Sequence, residues 1–243
     1  MVLKPLDMSE QTLDWQAHVL GSVSNATDFR VAPPLRSGDG SLSVAGWTAS
    51  PYLPGEPATG HWRDILVAGE RFHAALGHLP RPAFLETRQD HWAVADRVAW
   101  GELPLTGYED DDAILALAGR LLPVHETSQV VHGDLSGNVL VHPRLPPAIL
   151  DLSPYWRPPA YASAVVLADA LLWHDAGEEV LELDVPSMAQ HLLRALIFRL
   201  VTERRAAHGA RRPDGRYGCA LRIACAVADR RGPATENGAR DRG

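Results

Sequence analysis

The chain has 243 residues, of which 46% are hydrophobic and 22% charged, and its formal net charge is −7. This composition is that of a globular protein with a sizeable core, and it excludes a disordered tail protein, a collagen-like fibre and a disulfide-rich miniprotein. The acidic balance also argues against a general nucleic-acid binder, which needs basic surface for phosphate contacts. Of the 23 basic residues, 22 are Arg and one, Lys4, is Lys, which raises the hypothesis that Arg cannot replace Lys4.

The first part of the chain is predicted to be rich in strands. A strand at 2–6 is followed by a helix at 9–23, with Ser9 as its N-cap. Three further strands are predicted at 29–34, 41–45 and 47–52, and the turn at 37–40 (Ser-Gly-Asp-Gly) predicts a hairpin between the first two of these. Three prolines and a glycine make 51–57 a stiff connector, and this is the predicted domain boundary.

The rest of the chain is predicted to be mainly helical, with helices at 62–76, 110–125, 160–173 and 187–205 and a strand at 148–152. The helix at 110–125 opens on three aspartates, which suit the positive end of a helix dipole. The predicted fold class is therefore α+β with two lobes. We expect a small β-rich lobe at 1–54, a larger helical lobe at 55–205 and a basic extension at 206–243.

The C-terminal extension differs in charge from the body of the chain. Residues 1–202 carry 13 basic and 25 acidic residues, whereas residues 203–243 carry 10 and 5. We expect a helix there, followed by a disordered tail. Cys219 and Cys225 lie six residues apart on that helix and face different sides, which predicts reduced thiols in a cytoplasmic protein. The sequence shows no signal-peptide pattern and no apolar run that could span a bilayer, so no membrane partner is expected, and it indicates no oligomeric state.

The segment 130–141 carries the most chemical information. Two apolar strands flank a polar loop that contains Asp134 and Asn138, and a later strand ends at Asp151. Mg²⁺ takes oxygen ligands, few of them from protein when a nucleotide supplies phosphates, and a further carboxylate can accept a proton from an attacking hydroxyl. The structural alternative is that Asp134 and Asn138 only form turns that cap a hairpin. The preceding His132-Gly133, the apolar strands and Asp151 favour the chemical interpretation.

These residues resemble a known family. His-Gly-Asp-Leu at 132–135, Gly-Asn-Val-Leu at 137–140 and Ile-Leu-Asp at 149–151 are similar to the catalytic segment of aminoglycoside phosphotransferases and choline kinase-like proteins, which share the protein-kinase fold. The helix segment 70–76, the hinge-like sequence 52–55 and Val-Leu-Lys at 2–4 extend the resemblance from residue 2 to about residue 205. The segment 153–159 is similar to a poorly characterised subgroup.

The resemblance implies a role for each matching residue. Asp134 would be the catalytic base or would orient the acceptor hydroxyl, while Asn138 and Asp151 would hold Mg²⁺. His132 would brace the catalytic loop, and Asp169 would hydrogen-bond the backbone of that loop.

On the nucleotide side, Lys4 would reach the α- and β-phosphates of ATP or GTP, and Tyr52 and Leu53 would form the hinge beside the base. A compact ammonium suits that position better than the planar fork of Arg. The carboxylate that pairs with Lys4 is expected on the helix at 9–23, where the candidates are Glu10 and Asp14, although the spacing points to His18. Trp156 is predicted to contact the substrate because it follows Asp151 closely.

Two features depart from the family pattern. Asp134 and Asn138 are four residues apart instead of the usual five, so either Gly137 tightens the loop or Asn138 does not reach the metal. In the family, two strands and a Gly-rich phosphate-covering loop precede the lysine strand, whereas only residues 1–3 precede Lys4. We therefore expect a truncated β-rich lobe and weak nucleotide binding.

The predicted function is Mg²⁺-dependent transfer of the γ-phosphate of ATP or GTP to a hydroxyl of a small molecule. The alternative is a non-catalytic, kinase-like nucleotide-binding protein, which the missing Gly-rich loop and the short Asp–Asn spacing favour. The sequence does not identify the acceptor.

Overall fold

The computed structural model describes residues 1–183, 185–206 and 215–230, and it has an α+β architecture with a small sheet-rich part and a larger helical part. The sheet-rich part begins with β1 (Val2–Pro5), α1 (Glu10–Ser22), β2 (Arg30–Val31), β3 (Ser43–Val44), β4 (Trp47–Ser50) and β5 (Glu56–Pro57). Ser9 caps α1 as predicted, because its hydroxyl accepts a hydrogen bond from the Thr12 amide at 3.2 Å.

The predicted hairpin at 37–40 is wrong in its pairing. The turn itself forms, since the Gly40 amide donates to the Ser37 carbonyl at 2.9 Å. However, β2 pairs in parallel with a later strand, and the hairpin joins β3 to β4 across Ala45 and Gly46. Both turn residues have positive φ, 50° and 78°, which is the backbone twist that a two-residue hairpin requires. The Ser-Gly-Asp-Gly sequence carried a stronger turn signal than Ala-Gly.

The remaining strands are β6 (Gln129–His132), β7 (Val139–His142), β8 (Leu145–Ile149) and β9 (Pro154–Arg157). Among the described residues, β1 to β9 form three small sheets, in the orders β1-β4-β3, β2-β8-β7-β5 and β6-β9. The connector at 51–57 contains β5, which pairs with β7, so it joins the sheet beside the catalytic loop. The sequence did not predict β9, because the prolines in and after it are unusual in strands.

The helical part consists of α2 (Trp62–Leu76), α3 (Phe84–Thr87), α4 (His91–Ala99), α5 (Asp112–Ala118), α6 (Pro159–Trp173), α7 (Met188–Ala206) and α8 (Gly215–Arg230). The bounds of α2 agree with the prediction. The helix predicted at 110–125 is shorter, because Asp111 caps its start and Gly119 ends it. The two short helices α3 and α4 were not predicted.

Two apolar clusters form the core. The larger one lies among α4 to α8, with α6 and α7 at its centre, and the smaller one packs α1 and α2 against β6 to β8, beneath the catalytic loop. Within the extension predicted at 206–243, α8 spans Gly215–Arg230, and the predicted disordered tail lies outside the described residues. Cys219 and Cys225 are not joined in a disulfide. In the described part of the chain, no helix has the length and apolar character needed to cross a membrane.

Candidate active site

The predicted catalytic loop connects β6 to β7 and is fixed by close packing. Gly133 lies against the ring of Tyr155, where a Cβ atom would overlap ring carbons, so only glycine fits. The Gly133 amide donates to the Ser153 carbonyl at 2.9 Å. Gly137 has a φ of +80°, a conformation that favours glycine. These two glycines allow the loop to turn tightly between Asp134 and Asn138.

Asn138 contacts Asp134 despite the short spacing. The Nδ2 amide of Asn138 donates to the main-chain oxygen of Asp134 at 2.7 Å and lies 3.4 Å from its Oδ2. An amide that donates through nitrogen directs its carbonyl oxygen, Oδ1, away from that bond, so Oδ1 is the group that can serve as a metal ligand. The loop is therefore tightened at Gly137.

Asp151 lies just after the end of β8. The Leu150 amide donates to the Asn138 carbonyl at 2.9 Å, which brings the two predicted metal ligands to adjacent positions. Asp151 has a φ of +44°, an uncommon conformation for a residue with a side chain. Its Oδ1 lies 2.6 Å from the Nζ of Lys4, across the gap between β1 and β8. Lys4 and Asp151 are 147 residues apart in sequence, and only the fold joins them.

The carboxylate predicted to pair with Lys4 does not come from α1. Glu10, Asp14 and His18 are all exposed, and Asp14 pairs with Arg36 at 3.0 Å. The buried polar residue of α1 is Gln16, whose Nε2 donates to the Leu152 carbonyl at 2.7 Å. Gln16 was not predicted from the sequence, although it lies on the same helix face as Leu13 and Leu20.

His132 braces the loop through both ring nitrogens. Its Nδ1 accepts from the amides of Asp134 and Ser153 at 3.2 and 3.5 Å, and its Nε2 lies 2.9 Å from the Leu150 carbonyl. This pattern requires a neutral ring with the proton on Nε2. The His132 amide in turn donates to Nε2 of His73 at 3.0 Å, on α2. Burial lowers the pKa of both histidines, that of His73 to about 3.

The buried His73 predicts loss of stability in mild acid. The unfolded chain takes up a proton near pH 6.5 while folded His73 stays neutral, so stability is fully present above that pH and falls below it. At pH 5 the loss from this residue is expected to be about 2 kcal/mol. Urea unfolding between pH 7.5 and 5 measures it. His73→Gln, which can still accept the amide, should reduce the pH dependence, whereas the exposed His61→Gln should not. Equal pH dependence in the two variants would contradict this assignment.

Asp169 supports the loop in a different way from the one predicted. Its carboxylate binds the guanidinium of Arg199 through two bonds, Nε–Oδ1 at 2.8 Å and Nη2–Oδ2 at 2.6 Å. Nη2 of Arg199 also lies 3.0 Å from Oδ1 of Asp134. Asp169 is therefore linked to the Asp134 carboxylate through Arg199, and its carboxylate also faces the side chain of Ser136 in the loop. Burial raises the pKa of Asp169, and Arg199 opposes that rise. In the sequence, Arg199 could have been noticed as a charged residue within 192–201, an otherwise mainly apolar stretch of α7.

A cavity between the sheet-rich part and β8 lies beside Lys4. Its walls include Val2, Lys4, Tyr52, Leu53 and Asp151, with Leu140 and Ile149 on the opposite side. The predicted hinge residues and the predicted phosphate-binding lysine thus line one mostly apolar space. A flat aromatic base with attached phosphates fits such a cavity, which has apolar walls and a charged end.

A second cavity contains Asp134. It is also lined by Gly133 and Arg199, and its walls include the aromatic residues Phe84, Trp92, Tyr155 and Phe198. Trp156, predicted to contact the substrate, lies instead in a neighbouring cavity with Arg157 and Asp96. Tyr155, the preceding residue of β9, lines both cavities. Trp92 and Tyr155 are therefore the residues placed to contact a substrate beside Asp134.

The donor set fits Mg²⁺ in the presence of a nucleotide. In the described ranges, no group of three or more His, Cys, Asp or Glu side chains could hold a metal ion. Asn138 and Asp151 offer two oxygen ligands, and Mg²⁺ binds well through few protein oxygens when phosphates and water complete its octahedron.

Solved phosphotransferases show the same arrangement of elements. An aminoglycoside phosphotransferase from Alicyclobacillus acidocaldarius aligns with a TM-score of 0.54 at 14% identity, over 94% of this chain and 82% of its own. A choline kinase from Streptococcus pneumoniae aligns with a TM-score of 0.53 at 13% identity, over 90% of this chain and 82% of its own. A spectinomycin phosphotransferase bound to ADP and spectinomycin aligns with a TM-score of 0.52 at 11% identity, over 93% of this chain and 84% of its own. No protein-family model and no curated protein matches the chain by sequence. The chain therefore has the kinase-like fold of these phosphotransferases.

Proposed function

We propose that the protein is a Mg²⁺-dependent phosphotransferase that moves the γ-phosphate of ATP, or of GTP, to a hydroxyl of a small molecule. One observation carries the proposal: Lys4 and Asp151 line one cavity, Asp134 lines the adjoining one, and Asn138 contacts Asp134. These residues come from three separate segments of the chain. A set of turn-capping residues would not need a lysine 147 residues away. The proposed division is a nucleotide-binding lobe at 1–54 and a catalytic lobe at 55–205, in a cytoplasmic protein.

The cavity beside Lys4 is the proposed nucleotide site. Tyr52 and Leu53 would hold the base, and Lys4 would contact the phosphates at the charged end of the cavity. A spectinomycin phosphotransferase of this fold binds ADP and AMP, which supports an adenine nucleotide. Lys4 contacts Asp151 at 2.6 Å, so its ammonium lies beside the proposed metal ligand.

Asn138 and Asp151 would hold Mg²⁺, which supplies charge neutralisation at the phosphates when bound. The side chain of Asp134 faces the second cavity, where the acceptor would bind. Asp134 would orient the acceptor hydroxyl and take its proton while the acceptor oxygen forms a bond to the γ-phosphorus and the bond to the β-phosphate oxygen breaks. The rate gain comes mainly from positioning and charge neutralisation.

A non-catalytic nucleotide-binding protein is the second candidate. Gln16 occupies the buried, loop-facing position of α1, and Lys4 contacts Asp151 in place of an acid from α1. Without that acid, Lys4 is held less firmly for catalysis. This arrangement favours weak turnover.

Two measurements on the full chain separate these candidates. In a thermal-shift titration, MgATP at one hundred times its dissociation constant should stabilise the protein by about 2.7 kcal/mol. In a turnover assay, Asp134→Ala should lower MgATP consumption on the order of 10²–10⁴-fold while the thermal shift persists. Equal turnover in wild type and variant would exclude the phosphotransferase. A thermal shift with no turnover in the wild type would identify a binding protein.

A further inference from the structure

Arg199 lies at the centre of the catalytic lobe and contacts two carboxylates. It is on α7, its side chain is 8% exposed, and its guanidinium binds both oxygens of Asp169. The same Nη2 atom that binds Asp169 also donates to Oδ1 of Asp134 at 3.0 Å. Asp169 is 1% exposed and Asp134 is 45% exposed. One buried cation thus joins a buried anion to an anion at the cavity wall.

The contact decides which oxygen of Asp134 is available. Arg199 occupies Oδ1, and Asn138 holds the main-chain oxygen of Asp134 at 2.7 Å. Oδ2 is 3.4 Å from the Asn138 amide and is therefore the freer of the two oxygens. An aspartate side chain that is nearly half exposed would otherwise sample several rotamers. With Oδ1 bound by Arg199, Oδ2 is the oxygen left to meet an acceptor.

The guanidinium itself is held in one orientation. Its carbon lies 5.0 Å from the ring centre of Phe198 and 5.2 Å from that of Trp173. The planar fork allows Nε and Nη2 to bind Asp169 together while Nη2 also reaches Asp134. A lysine ammonium keeps the charge but does not reproduce this fixed geometry.

We propose that Arg199 is a positioning residue, which fixes the Asp134 carboxylate for phosphotransfer by linking it to the buried carboxylate of Asp169. The inference rests on the proposed function for its kinetic consequence. It goes beyond that function because it assigns the orientation of Asp134 to a residue on α7, 65 positions further along the chain.

The test is a double-mutant cycle, measured as MgATP hydrolysis by the full chain because water can serve as the acceptor. Arg199→Gln should lower kcat on the order of 10- to 100-fold, since small displacements of a reacting group cost that much, and should leave the nucleotide KM unchanged. In an Asp134→Asn background the same change should have little further effect. Arg199→Lys should restore part of the lost rate.

Arg204→Gln is the matched control. Arg204 is also on α7 and pairs with a buried aspartate, Asp111, at 2.9 Å, but it lies away from Asp134. Thermal melts of all variants report folding. Crystal structures of the two Gln variants should show the Asp134 carboxylate displaced in Arg199→Gln alone.

The outcomes distinguish this proposal from the proposed function. If Asp134→Asn lowers turnover but Arg199→Gln lowers it no more than Arg204→Gln does, Arg199 is only a structural counter-ion and the proposal is overturned. The same holds if Arg199→Gln acts equally in both Asp134 backgrounds. If wild type and Asp134→Asn turn over equally, the proposed function fails, and the crystal structures alone decide whether Arg199 positions Asp134. An undisplaced Asp134 carboxylate in Arg199→Gln overturns the proposal in every case.

Discussion

Replacing Asp151 with Asn is expected to lower MgATP turnover on the order of 10²–10³-fold, the usual cost of removing one electrostatic group from a reacting site. Asp151 is the only carboxylate of the proposed metal pair, and it also binds Lys4 at 2.6 Å. The amide keeps the shape of the side chain but loses the negative charge that both cations need. The nucleotide should then bind with weaker dependence on Mg²⁺.

The measurement is turnover as a function of Mg²⁺ concentration at fixed ATP, together with the thermal shift produced by MgATP. Asp14→Asn is the control, because Asp14 is an exposed aspartate paired with Arg36 at 3.0 Å and lies outside both cavities. It should behave as the wild type does. A wild-type Mg²⁺ dependence in Asp151→Asn would remove Asp151 from the metal site.

Asp96→Asn is expected to lower the free energy of unfolding by about 3–5 kcal/mol, because it leaves a buried guanidinium without its main partner. Asp96 on α4 and Arg157 on β9 are 8% and 10% exposed, and their closest contact is 2.6 Å. Arg157 also binds Glu102 at 2.5 Å and stacks 4.9 Å from the ring centre of Trp100. The pair therefore connects β9, the strand that follows Asp151, to α4 of the helical part.

Urea unfolding at neutral pH measures this loss. Arg36→Gln breaks the exposed pair with Asp14 and should change stability by less than about 1 kcal/mol. A double variant, Asp96→Leu with Arg157→Met, should recover much of the loss, since apolar residues of similar volume can replace a buried ion pair. If Asp96→Asn is no less stable than Arg36→Gln, the pair contributes nothing to stability.

The sequence predicted those parts of the fold that depend on local patterns. The helix at 62–76 was predicted with its exact bounds, because apolar residues recur there at helical spacing. The Ser9 cap was predicted for a similarly local reason, and the strand predicted at 2–6 forms at Val2–Pro5. The partner of β2 was not, because strand pairing across more than one hundred residues leaves no mark in a local pattern.

The candidate site divides in the same way. The sequence by itself predicted Asp134, Asn138, Asp151 and His132 as a set, because they follow short apolar strands that lie close together along the chain. Only the tertiary structure decided that Lys4 pairs with Asp151 and that Gln16 binds the Leu152 carbonyl. It also placed Trp92 and Tyr155, and not Trp156, at the cavity of Asp134. It also decided that Arg199 connects Asp169 to Asp134. The physical reason is that these contacts join distant segments, so packing of the whole chain selects the partner of each charge.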